Sequence, residues 1–485
     1  MKRTGPARLL LPALRWSAET GYEHEAAAIE RALGHGVGGF CIFGGTTDAV
    51  AELTWQTQSR CDHALLFGAD LERGAGQQFT GATSLPPLAA LGTLEDLAAT
   101  RRAGELTARE ARALGINWIF GPAADLDLEP LNPIVGTRAF GADAQQVSAQ
   151  VGAWIEGCRK AGGAACAKHF PGHGRTREDS HATLPRVTAG HAQLELDLAP
   201  FRATIEAGVD GIMTAHVAYP ALDPRARAAT VSPVLLVDLL RTQLRFEGVV
   251  VTDALVMSGL LEAVGGDDAD AAVAALRAGC DALLYPENVA GVVAALEGAV
   301  GSVVPRARFE EALERLTALA ERSSPDWGYR QAARDAEWAA SLALRSITRL
   351  QGQPRCPPGA ELLTIDDDVG GPYPAPARHH FAATLAERGL TTRPVDNASG
   401  AVGLLVAVYA DVRAWKERPG LSARAAAALR DTLERRRDAT VVCFGHPRVA
   451  AGLGAETVVC AWGGEPIMQR AAAEWLAAHA SRTVL

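Results

Sequence analysis

A chain of 485 residues is longer than one hydrophobic core usually organises, so two domains are expected. With 48% hydrophobic and 21% charged residues the composition excludes a disordered or fibrous chain, and a net charge of −9 excludes the basic excess of a nucleic-acid partner. The eight cysteines show no CxxC pair and no metal-ligand spacing, and several fall inside apolar runs, which points to core thiols in a reducing compartment.

At the N-terminus, MKRTGPARLLLPALRW places a basic start before a short apolar run. Pro12 and Arg15 interrupt that run and no small-residue cleavage site follows, so it reads as a first β-strand rather than a secretion signal. No apolar segment approaches the roughly 18 to 20 residues that cross a bilayer. A cytoplasmic protein with no membrane partner is the expectation.

After LLLPAL (9–14), similar runs recur: GGFCIF (38–43), ALLFGA (64–69), NWIFGP (117–122), AACAKHF (164–170), GIMTAH (211–216), GVVVTDA (248–254) and DALLYP (281–286). Each is followed by an Ala-, Leu- and Arg-rich helical stretch. Continuous apolar strands alternating with helices imply a parallel sheet covered on both faces, and eight such units predict a (β/α)8 TIM-type barrel. Two further helices over 305–350 complete a catalytic barrel domain, residues 1–350. QGQPRCPPGA then breaks the pattern with Pro and Gly and marks a linker. Beyond it ELLTID, AVGLLVAVYA, ATVVCFG and TVVCAW are apolar runs between helical stretches. Four strands cannot close a barrel, so residues 351–485 are expected to form a smaller open α/β sheet domain.

In a parallel barrel the reactive groups gather where strands end. Asp70 ends the third run, Asp125 and Asp127 follow the fourth, Lys168 and His169 end the fifth, His216 the sixth and Asp253 the seventh. Each has a plain structural alternative. Asp253 could cap the next helix, His216 could be a satisfied buried histidine, and Asp70 could bond the Gly-rich loop behind it. The densest segment is AKHFPGHGRTREDSHATLP (167–185), too polar for core and too constrained by Pro171, Gly172 and Gly174 for a linker. Its histidines 169, 173 and 181 suggest zinc, but their spacing would need a helix to converge and PGHG forbids one, so no metal and no cofactor are expected.

The run KHFPGHGRTREDSH resembles the signature of the bacterial β-N-acetylglucosaminidases of glycoside hydrolase family 3, the peptidoglycan-recycling type. LNPIVGTRAF (131–140), GIMTAHVAYPALD (211–223) and VVVTDALVM (249–257) are similar to further elements of that family, in its order. The likeness covers about residues 9–350, with a weaker one around VVCFGHPRVA. It implies a retaining exo-β-N-acetylglucosaminidase acting on a small carbohydrate from peptidoglycan or chitin, with Asp253 as nucleophile and Asp179 with His181 as the acid/base dyad on a loop. Asp70, Arg138, Lys168, His169, His216 and Met257 would contact the sugar. The second domain would complete the pocket rim or a homodimer contact. Two departures stand out: Arg73 occupies a glycine position of the family's D-x-E-G-G element, and Ala139 replaces a serine.

The residue types suit the reaction. Retention needs a nucleophile on one face of the sugar and a proton donor near the leaving oxygen. An imidazole can give and take a proton at neutral pH, and a carboxylate two residues away can orient it. Side chains at 179 and 181 point the same way in extended backbone, which is therefore predicted there. The alternatives are a family 3 β-glucosidase or xylosidase, a phosphorylase, or an inactive sugar-binding module. A nucleotide site in the C-terminal part lacks GxxxxGK.

Overall fold

The computed structural model describes residues 5–369, 375–398, 400, 403–413, 416–451 and 453–481. They divide into two compact units.

The first unit comprises residues 1–84, 96–128 and 142–332. Its strands are β1 (Leu10–Leu11), β2 (Ala13–Arg15), β3 (Gly39–Phe43), β4 (Leu66–Ala69), β5 (Trp118–Ala123), β6 (Ala164–Phe170), β7 (Gly211–Thr214), β8 (Val249–Val251) and β9 (Leu283–Leu284). Pro12 has no N–H to give to a ladder, so the first apolar run splits into β1 and β2. The two halves pair with different neighbours: β2 runs parallel to β3, and β1 runs parallel to β9. From β2 to β8 every adjacent pair is parallel, and a parallel bridge between Val251 and Ala282 joins β8 to β9. The ring therefore closes as the eight apolar runs predict. β4 to β9 are buried at every position, as strands covered on both faces should be.

A helix follows each strand of the ring. That between β7 and β8, Val234–Gln243, is wound as a π-helix. Asp96, Asp143 and Asp267 cap helices by accepting first-turn N–H bonds.

The second unit comprises residues 85–95, 129–141 and 333–485. Its sheet holds β10 (Thr348–Gln351), β11 (Ala360–Asp366), β12 (Thr392–Val395), β13 (Leu404–Ala410), β14 (Thr440–Gly445) and β15 (Thr457–Cys460), in the order β10-β15-β14-β13-β11-β12. All neighbours are parallel except β10, an antiparallel edge. Among the described residues six strands replace the four expected. The two unforeseen ones are the edges, TRLQ and TRPV, which bury too little to need apolar runs.

The boundary expected at residue 350 also shifts. Helix Ala333–Ser346 contributes Ala343 to the core of the second sheet, beside Leu405, Phe444 and Met468. Two excursions from the barrel sequence join the same unit. Ala89 and Ala90 pack on Cys460 and Trp462, Arg448 donates to the Glu129 and Pro130 carbonyls, and Thr137 Oγ1 donates to Asp411 Oδ1.

Candidate active site

The carboxyl ends of β4 to β8 assemble one polar cluster within the first unit. Lys168 is buried at the end of β6, where a lone ammonium would be costly. It is neutralised by Asp70 and by Glu72, whose Oε1 lies 2.8 Å from Nζ. Asp70 is a third exposed, so it faces the mouth, whereas Glu72 is buried. The pairing of β6 with β7 is irregular between Ala167 and Phe170, and there two successive side chains both turn to carboxylates, Lys168 to those after β4 and His169 to the one after β5. His169 Nδ1–H donates to Asp125 Oδ2 at 2.8 Å, and Asp125 Oδ1 accepts the backbone N–H of His173 at 2.6 Å. Burial pushes the Asp125 carboxyl up, but His169 and His173 outweigh it and hold it below the usual range.

The loop after β6 is folded around His173. This ring is buried, with Nδ1 2.7 Å from Thr176 Oγ1 and Nε2 3.1 Å from Ser180 Oγ. Burial, reinforced by the charge of His169, lowers its pKa to about 4, so it is a neutral structural ring at physiological pH. Gly174 is required where it stands, because a Cβ would meet the Leu126 carbonyl oxygen at 1.7 Å. Arg175 Nε donates to Asp197 Oδ2 at 2.7 Å, and Tyr219 Oη donates to the Gly172 carbonyl at 2.7 Å, tying the loop down at both sides.

Asp179 and His181 do meet, though not through extended backbone. The chain turns at Asp179, whose carbonyl accepts from the N–H groups of Ala182 and Thr183. Its carboxylate caps the same turn: Oδ1 accepts the His181 backbone N–H at 2.8 Å and the ring Nδ1–H at 2.6 Å. The predicted strand-like alternation is thus replaced by a capped turn, a preferred use of Asp. The Asp179 side chain is buried while His181 is half exposed.

Asp253 follows β8. It is not the cap of the next helix, Ser258–Val264, whose N-cap is Met257 with no side-chain bond. Its Oδ1 accepts the Ala254 N–H at 2.7 Å. Burial raises its carboxyl, yet the nearby imidazoles of His216, His169 and His181, which gain charge as pH falls, hold it down to about 2. Asp253 is therefore held as an anion near neutral pH, and His181 is close enough to act on its charge.

His216, expected among the sugar contacts, has a protein partner at each ring nitrogen. Its ring is buried, Nε2–H donates to the Ala254 carbonyl at 3.0 Å, and Nδ1 faces Thr230 Oγ1 at 2.7 Å. Burial lowers its pKa, and both nitrogens are used in holding the peptide next to Asp253. His169, His173 and His181 each address a separate protein partner, and among the described residues no group of three or more His, Cys, Asp or Glu is arranged to hold a metal ion.

Residues 22–319 match the family model described as the glycosyl hydrolase family 3 N-terminal domain. The chain belongs to glycoside hydrolase family 3. It is 38% identical over 294 residues to a β-hexosaminidase of Methylococcus capsulatus, covering 59% of this chain and 82% of that one. A β-hexosaminidase of Chromobacterium violaceum is 37% identical over 320 residues, covering 63% of this chain and 85% of the relative. A solved family 3 β-N-acetylglucosaminidase from Paenibacillus sp. str. FPU-7 superposes with a TM-score of 0.86 at 28% identity, covering 99% of this chain and 97% of that chain. The chain is a glycoside hydrolase built as a TIM-type barrel with an additional α/β domain.

Within this family 3 enzyme the departure at Arg73 leaves the Lys168 partners in place. Arg73 is partly exposed and its backbone N–H donates to Gln77 Oε1 at 2.8 Å, while Gly74 supplies the left-handed turn with φ of 77°. Met257 is buried at the start of its helix. Arg138 belongs to the second unit, where its Nη1 donates to the Ile134 carbonyl at 3.0 Å. Glu72 and Ser180 were not singled out by sequence, and Asp125 was named only as a strand-end carboxylate. Glu72 was signalled by a buried lysine that needs counter-charge, two residues from Asp70.

Proposed function

We propose that this enzyme is a retaining exo-β-N-acetylglucosaminidase that removes terminal, non-reducing N-acetylglucosamine from peptidoglycan-derived or chitin-derived fragments. The observation that carries the reading is the pairing of an ionised Asp253 with an imidazole whose Nδ1–H is fixed by a buried carboxylate.

Asp253 attacks the anomeric carbon, and His181 delivers a proton from Nε2 to the departing oxygen. Asp179 stabilises the protonated ring before transfer and keeps the tautomer that exposes Nε2 to the substrate. In the second half, water adds to the glycosyl-enzyme as His181 takes its proton, and Asp253 leaves as a carboxylate. Asp70, Lys168 and His169 hold sugar hydroxyls. Arg138 and Met257 are placed among the sugar contacts by resemblance alone. The names of the relatives support an N-acetylhexosamine substrate, and eight free thiols support a reducing, cytoplasmic setting.

A para-nitrophenyl assay tests the reading. The N-acetylglucosaminide should be cleaved at least about tenfold faster in kcat/KM than the glucoside, which corresponds to about 1.4 kcal/mol of discrimination. Equal rates remove the substrate assignment. Free sugar should form with and without phosphate; accumulation of sugar 1-phosphate makes the enzyme a phosphorylase instead.

A further inference from the structure

The helix that begins five residues after Asp253 has an uncapped first turn. Met257 at its N-cap offers no side-chain acceptor, so the first N–H groups of Ser258–Val264 must find partners elsewhere. One partner is the loop itself: Gly259 N–H donates to the Ser180 carbonyl at 3.2 Å. One helical turn on, Glu262 Oε2 accepts from Thr183 Oγ1 at 3.2 Å and from the Leu184 N–H at 3.3 Å. These three bonds bracket His181 on both sides in sequence. The approach is also sterically close. A Cβ on Gly259 would lie 2.4 Å from the Thr183 carbonyl oxygen and 2.7 Å from that of Ser180, both backbone atoms that cannot swing aside.

We infer that Gly259 and Glu262 form a seat for the His181 turn, so that the helix following the nucleophile sets where the proton donor stands relative to Asp253. Both are positioning residues, neither touching substrate. The inference rests on the reading of His181 as the acid/base group. The second anchor of the turn, Ser180 Oγ against the His173 ring, fixes its inner side, and the Gly259–Glu262 seat fixes its outer side.

Gly259→Ala is the sharpest test. Gly259 lies in a helix and outside the left-handed region, so alanine there favours the helix and the clash falls on the loop alone. Kinetics are compared for β-N-acetylglucosaminides with a good leaving group, 2,4-dinitrophenol, and a poor one, a second sugar. With Gly259→Ala, kcat/KM on the poor leaving group should fall at least about tenfold, bounded by the loss in His181→Ala, while the dinitrophenyl substrate stays within about threefold. The double variant Gly259→Ala/His181→Ala should equal His181→Ala, because a seat with nothing to position has no further effect. Glu262→Ala should show the same selectivity at about threefold, and Glu262→Gln, which keeps an acceptor oxygen, should restore it.

If His181→Ala is selective for poor leaving groups but Gly259→Ala and Glu262→Ala are not, the seat is refuted and the dyad stands. Equal losses on both substrates in Gly259→Ala, or additive losses in the double variant, also refute the seat. If His181→Ala itself shows no leaving-group selectivity, the acid role falls and the seat with it.

Discussion

Asp253 and Asp281 flank neighbouring strands of one barrel, at opposite ends, and are treated in opposite ways. Asp281, before β9, is completely buried. It accepts from Arg241 Nη2 at 2.6 Å, from Arg308, from Arg315 Nη1 at 3.2 Å and from the Val250 N–H at 2.9 Å. With four donors on two carboxylate oxygens, every lone pair is committed to holding the base of the barrel together. Asp253, after β8, has one hydrogen bond among the described residues, from its neighbour's N–H, and is surrounded by imidazoles. The contrast separates a carboxylate used as mortar from one kept charged but uncommitted, which is what a nucleophile requires.

The contrast can be broken in three places. The largest effect is expected from Asp253→Asn, which should lower kcat on the order of 10⁴-fold or more while leaving the urea midpoint unchanged. Retained turnover would make Asp253 another structural carboxylate. Next, Asp281→Asn should cost about 3–5 kcal/mol of stability by stranding buried arginine charge, with kcat per folded molecule preserved. A loss of kcat without a loss of stability would move Asp281 to the chemical side.

The smallest effect concerns His173, the structural counterpart of His181 in the same loop. Its folded pKa, about 4, lies below the ordinary value of 6.5, so the unfolded chain takes up a proton first as pH falls. Its contribution is complete above about pH 6.5 and is lost as pH drops towards 4. His216, also lowered by burial, adds in the same direction. Urea titrations between pH 4.5 and 7.5 should show stability rising with pH, and His173→Gln should reduce that slope by up to one proton. An unchanged slope would remove His173 from the neutral, buried class.

The barrel was legible because a parallel strand buried on both faces must be apolar throughout, and eight such runs stand out between helices. Edge strands obey no such demand, so Thr348–Gln351 and Thr392–Val395 left no trace in the pattern. Residues 85–95 and 129–141 were assigned to the barrel because sequence order cannot reveal that Thr137 bonds to a residue 274 positions away. At the candidate site, the charged strand ends pointed to Asp70, Lys168, His169 and Asp253, and the structure sets all four at the carboxyl ends of the barrel strands. His216 shows that a polar group at a strand end can also bond the backbone, a partner that the strand-end pattern does not reveal. The reading of Asp179 and His181 as extended overlooked that aspartate caps its own turn, which unites the same two groups by another route.

The braiding of the second unit from three stretches of chain bears on biogenesis. Synthesis proceeds from the N-terminus, so the stretch carrying Arg138 is made long before the strand end at Asp411 that receives Thr137. Until some 270 residues more have been added, Thr137 has no Asp411 to bond. Maturation of the second unit is therefore a late event governed by contacts of large sequence separation, and chain shortened from its C-terminus forfeits a bond that holds a segment in its first third.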